Sequence, residues 1–164
     1  MARPYWWMVV LFLSKWLHVA LMRELVRGLV RLTQEAQSYN LAIYFSSQIA
    51  SDIKGVFHRL NEIKGIGPKI ASFIIRDFAW IFNLEEKIPD QHKRYLQPVD
   101  IWLGRTALCL WPDLVERYWP IAEKLADECN RVGISGIEFN QGAWYFGAQE
   151  VRDFDSLCDE LSKL

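Results

Sequence analysis

An all-α fold is what this sequence predicts, and three observations predict it. Apolar residues recur at three- and four-residue spacing, the two-residue alternation of strands is scarce, and hairpin dipeptides are few. At 164 residues and 51% hydrophobic, the chain is long enough to bury a substantial core, as one compact domain or two closely joined helical lobes spanning 1–164.

Taken in order, the first expected helix is Tyr5–Leu17. Its start, Tyr5–Leu13, is wholly apolar after Arg3 and superficially resembles a signal-peptide core. Lys15, His18 and Arg23 interrupt it before the ~20 residues that a membrane span needs, so a buried helix is expected and no membrane association. Val19–Ala36 follows, with Leu21, Leu25 and Leu29 on one face and Arg23, Arg27 and Arg31 on the other. That arginine row is either a solvated face or one that touches phosphate. Helices are expected next over Leu41–Ala50 and over Ser51–Ile63, where Ile53, Val56, Phe57, Leu60 and Ile63 share a face. Gly65 then reads as a C-terminal stop, Gly67 as an N-cap and Pro68 as the first residue of a helix running to Phe82. Its apolar face is expected to carry Ile70, Ala71, Phe73, Ile74, Phe78 and Ile81. Glu85–Arg94 reads as a polar, insertion-like loop that is either solvated, the favoured reading, or reaches a nucleic acid. Beyond it come Ile101–Leu110, opened by the capping sequence Pro98-Val99-Asp100, then Pro112–Glu116, Trp119–Val132, Ile137–Ala148 and Phe154–Lys163.

Composition narrows the partners. The net charge of −1 argues against a nonspecific polycation, but residues 1–105 hold 14 Lys/Arg against 9 Asp/Glu, and residues 106–164 hold 5 against 11. One basic side facing a nucleic acid is consistent with that division. The three cysteines, Cys109, Cys129 and Cys158, are unevenly spaced and suit a reducing cytoplasm.

The glycine turn at 63–68 has a chemistry of its own. A helix N-terminus reached through glycines presents unpaired N–H donors and the positive end of the helix dipole, and so binds a phosphate without a basic side chain. An ordinary turn between core helices would carry the same glycines. The flanking apolar-x-x-apolar-x-Gly-apolar-Gly-x-x-x-Ala pattern is far more demanding.

The stretch Ile63–Ser72 (IKGIGPKIAS), followed by Gln97–Arg105 (QPVDIWLGR), resembles the helix-hairpin-helix DNA glycosylase superfamily, and within it the 8-oxoguanine glycosylase/lyase branches. The resemblance is strong over the middle third, with a hairpin motif at 56–83 and an aspartate segment at 97–105. It implies a compact two-lobed helical glycosylase fold acting on double-stranded DNA that contains a damaged base. In those branches the lysine two residues after the second hairpin glycine is the nucleophile, here Lys69, and an aspartate opening a later helix is the second catalytic residue, here Asp100. The resemblance also implies phosphate binding by the backbone at Gly65, Gly67 and Ile70, with a monovalent cation at the hairpin when DNA is bound, no other cofactor and no metal at the catalytic residues. A monomer in the cytoplasm, nucleoid-associated in a prokaryote, is expected. Many family members follow the aspartate with x-His-Val/Leu, where this chain has Ile101-Trp102-Leu103, so that helix packs or contacts DNA differently. Three scattered cysteines cannot reproduce the four-cysteine iron–sulfur cluster of the endonuclease III branch, and none is expected.

The implied chemistry suits these residue types. A bifunctional glycosylase needs a neutral amine to attack the anomeric carbon and form a Schiff base, and a helix N-terminus favours that neutral form. Asp100 would stabilise the charge that develops as the base leaves, a role compatible with capping its helix. A flipped base must be stacked and read, and the late helical segment Phe139–Phe146 offers rings and amides for this, chief among them Gln141 and Trp144. Two other functions fit the same residues. One is a noncatalytic hairpin module that binds DNA or a partner; the other is a monofunctional glycosylase for another lesion, in which Lys69 is incidental.

Overall fold

The structure is a computed structural model that describes residues 23–32, 34 and 40–163, and among these there are helices and turns but no strand. The expected helix Tyr5–Leu17 and the apolar stretch within it lie outside the described residues, as do the ends of Val19–Ala36. The elements are α1 (helical over 23–32), α2 (Leu41–Asn61), α3 (Pro68–Ile81), α4 (Ile101–Leu110), α5 (Tyr118–Val132), α6 (Gly136–Tyr145) and α7 (Leu157–Leu161). Short 3-10 turns at Glu85–Lys87 and Asp90–Leu96 link α3 to α4, and a π-helical turn, Phe146–Val151, continues α6. No helix among the described residues is long and apolar enough to cross a membrane.

Two buried clusters organise the packing. The larger joins α1, α2 and α3 through Leu32, Phe45, Ile49, Ile53, Val56, Leu60 and Ile75; the smaller joins α4, α5 and α6 through Leu103, Ala107, Leu125 and Ala143. Phe57, Tyr95 and Trp119 form a ring cluster, with centroids 5.0–5.5 Å apart, that brings the Asp90–Leu96 turn and α5 against α2. The hydrophobic face expected over residues 53–63 is buried throughout.

The expected break between two helices at Ala50 and Ser51 is present as a kink. Asp52 leaves helical geometry (φ −148°, ψ 57°) inside α2, and its Oδ1 accepts from the Gly55 N–H at 2.9 Å, so it caps the second half of the helix it interrupts. Gly55 leaves room for that carboxylate, since an added Cβ would lie 1.9 Å from Asp52 Oδ2.

Five expectations are corrected. On α3, Ile70 and Ile81 are 40% and 64% exposed, while the fully covered stripe is Ala71, Ser72, Ile75, Arg76 and Ala79. Small residues let α3 approach its neighbours closely, and polar Ser72 and Arg76 are buried because partners await them. The Glu85–Arg94 stretch is not a solvated loop: Leu84 and Ile88 anchor it in the core. Glu85 Oε1 accepts from the Gly136 and Ile137 N–H groups at 2.8 and 3.2 Å, which satisfies the start of α6. Pro112–Glu116 forms turns rather than a helix, and Phe154–Lys163 is helical only over Leu157–Leu161. Finally, Cys109 and Cys158, separated by 49 residues in sequence, form a disulfide that ties α7 to α4, leaving Cys129 free and buried.

Candidate active site

The hairpin turn is built from two buried isoleucines and a glycine between them. Ile66 donates its N–H to the Ile63 carbonyl at 2.9 Å, and Gly65 takes φ +97°, a conformation that side chains rarely tolerate. Gly67 is the extended N-cap of α3 and Pro68 its first residue. The N–H groups of Gly65, Gly67 and Ile70, and that of Lys69 between them, find no acceptor among the described residues, and together they form an open donor set. The Lys69 side chain is exposed and makes no hydrogen bond or ion pair to another described residue.

Asp100 caps α4 as the sequence predicts. Its Oδ1 accepts from the Leu103 N–H at 2.8 Å, and its carbonyl accepts the first helical bond, from Gly104. The half-buried carboxylate lines a cleft of about 260 Å³ whose other walls include Arg105, Glu116, Arg117 and Tyr118. Lys69 does not line this cleft, and neither do Gln141 and Trp144, which sit on α6 half-buried and 41% exposed respectively. Trp102 is packed. Its ring stacks on Phe154 at 4.0 Å and covers Gly147, where an added Cβ would lie 2.6 Å away.

Two long-range features join the hairpin to the aspartate segment. The first is Tyr118, at the start of α5. Its Oη lies 3.1 Å from the Pro68 carbonyl, 2.8 Å from Ser72 Oγ and 3.1 Å from the Gln97 carbonyl. One phenol thus bridges the first turn of α3, where Lys69 sits, and the strand of chain that leads to Asp100. Burial pushes this phenol up to about 12, so it remains protonated and able to donate to one of the two carbonyls. The second is a buried chain of polar side chains: Arg76 donates to Asn140 Oδ1 at 3.0 Å, and Asn140 Nδ2 donates to Gln97 Oε1 at 3.0 Å. Arg76 is also held by Asp77, 2.7 Å away, and by the face of Phe73. Helix α3, helix α6 and the Gln97–Asp100 segment are therefore fixed to one another. A tyrosine or asparagine within a helical pattern gives no local sign of such a role.

No cluster of three or more His, Cys, Asp or Glu side chains among the described residues could hold a metal ion. No family model matches the chain, and neither a curated protein nor a solved structure matches it.

Proposed function

We propose that this chain is a helix-hairpin-helix DNA glycosylase with lyase activity, which removes 8-oxoguanine from double-stranded DNA. The observation that carries the reading is the tie through Tyr118: the residue before Lys69 and the segment ending in Asp100 share one half-buried hydroxyl. Lys69 would attack the anomeric carbon as the bond to the base breaks, leaving a Schiff base from which β-elimination cleaves the strand. Asp100, held by its cap, would stabilise the positive charge on the sugar in that step. The open amides of Gly67, Lys69 and Ile70 would hold a strand phosphate. A monovalent cation at the hairpin would use backbone oxygens, and the carbonyls of Lys64, Gly65 and Ile66 accept no backbone hydrogen bond, a donor set that fits a hard cation. Gln141 and Trp144 remain the proposed readers of the flipped base, from α6.

A noncatalytic hairpin module is the second reading, favoured by the absence of Lys69 from the Asp100 cleft. Borohydride trapping separates the two. The catalytic reading expects a covalent protein–DNA adduct on duplex containing 8-oxoguanine, lost in Lys69→Gln with binding largely kept. Asp100→Asn should slow base release by about a hundredfold or more at a cost of about 1 kcal/mol or less in stability. Neither an adduct nor base release from 8-oxoguanine, uracil or 3-methyladenine duplexes supports the noncatalytic module, and base release without an adduct supports a monofunctional glycosylase. Faster release of one of the other two bases would overturn the substrate and keep the class.

A further inference from the structure

Beside the hairpin, α1 and the end of α2 enclose a cleft of about 290 Å³. Four cations line it, Arg27, Arg31, Arg59 and Lys64, against two carboxylates, Glu24 and Glu62. Neighbouring groups hold one of these cations in place. Arg59 donates through Nε to Tyr44 Oη at 2.8 Å and lies 3.5 Å from Asp52, so groups of α2 orient its guanidinium. Arg27 pairs with Glu24 at 2.8 Å where both side chains are well exposed, a contact that a phosphate can displace at small cost. Gly28, between Arg27 and Arg31, lets α1 cross the hairpin closely: an added Cβ would lie 2.5 Å from Ile63 Cγ2.

The cleft is continuous with the hairpin. Ile63 and Lys64 belong both to its wall and to the turn that carries Gly65. Lys64 and Gly67 are three residues apart, a reach of at most about 11 Å. A DNA strand presents one phosphate per about 3.4 Å of helix axis, so a single strand lying on the amides passes the cleft within about three phosphates. Arginine forks match phosphate oxygens, whereas a cationic ligand would meet an excess of like charge.

We propose that this cleft is a second phosphate subsite, which grips the backbone of the same DNA strand that the hairpin amides hold. The inference rests on the DNA-binding part of the proposed function and adds its own residues. Its action is independent of the lesion, because backbone contacts carry no base information.

The test is the salt dependence of binding to an undamaged duplex, read by fluorescence anisotropy. Each phosphate contact contributes about 0.9 to the slope of log affinity against log salt. Arg27→Gln with Arg31→Gln should reduce that slope by about 1.8, so that the native protein loses about twelvefold more affinity than the variant between 50 and 200 mM salt. Arg27→Lys with Arg31→Lys should keep most of the slope, and Lys64→Gln, a single change in the exposed turn, should reduce it by about 0.9. Unchanged slopes in both glutamine variants would overturn the subsite while leaving hairpin binding intact. Equal losses in the lysine and glutamine pairs would overturn it too, since charge would then not be the cause. A native protein that binds no duplex would remove the DNA reading together with this inference.

Discussion

Three oxygens within 3.1 Å of one phenol make Tyr118 the residue that sets the spacing between the hairpin and Asp100. Its burial has a consequence that can be measured in solution. An ordinary tyrosine ionises near 10, and here the folded state holds the proton up to about 12. The folded form therefore prefers the neutral phenol, and the stability this contributes is present below pH 10 and lost as the pH rises from 10 to 12. Tyr118→Phe removes that dependence. Urea unfolding of both proteins at pH 9 and pH 12 should show the native chain losing roughly 2 kcal/mol more than the variant. A difference between the two proteins that does not change with pH would mean that the phenol is not held neutral by the fold. Asp100 is the converse case at this scale, because its cap was legible from Pro98-Val99-Asp100 alone: capping is a local interaction with the next turn, whereas the Tyr118 tie spans 21 residues to Gln97 and 50 to Pro68.

At the scale of elements, the hairpin separates two uses of glycine. Gly65 is required by the backbone, at φ +97°, and Gly65→Ala should cost about 1–2 kcal/mol of stability. Gly67 is not: its φ is −90°, ψ 178°, and nothing lies within 4 Å of an added Cβ. A serine there would find the N-cap position open, and its hydroxyl would accept from the Lys69 or Ile70 N–H. Gly67→Ser should therefore raise stability by a few tenths of a kcal/mol and, on the proposed function, weaken duplex binding, because the hydroxyl occupies a donor that a strand phosphate would use. Thermal unfolding and anisotropy on the same preparation check both halves; a serine variant that binds DNA as tightly as the native chain would detach the amides from phosphate binding. The helices on either side were readable from periodicity, yet the buried stripe of α3 was not. Arg76 and Ser72 look like surface residues until Asn140 and Tyr118, from other helices, are packed against them. The turn at Glu85–Arg94 hides its role for the same reason: Glu85 is polar in sequence but serves as the acceptor for the start of α6.

Across the whole molecule, what the sequence concealed are the long-range pairings. Helical class, the kink near Ser51 and the hairpin all follow from residues within a few positions of each other. The disulfide does not, since Cys109 and Cys158 become neighbours only when α7 returns to α4 behind the Trp102–Phe154 stack. This bond closes most of the C-terminal third, and α7 is a helix of only five residues with one buried side chain, Leu157. So short an element has little burial of its own to hold it, and the covalent tie carries a correspondingly larger share. A cross-link of this length limits the unfolded chain, and Cys109→Ser with Cys158→Ser should lower the unfolding free energy by about 2–4 kcal/mol. Asp100 is held to α4 by local bonds at its other end, so the aspartate cap should survive the change. Denaturant titration of the native protein with and without dithiothreitol gives the same comparison without mutation: the midpoint should fall on reduction to that of the double serine variant, which itself should not respond to reductant. A native midpoint that is indifferent to reductant would show that α7 is held by Leu157 and the Trp102–Phe154 stack alone.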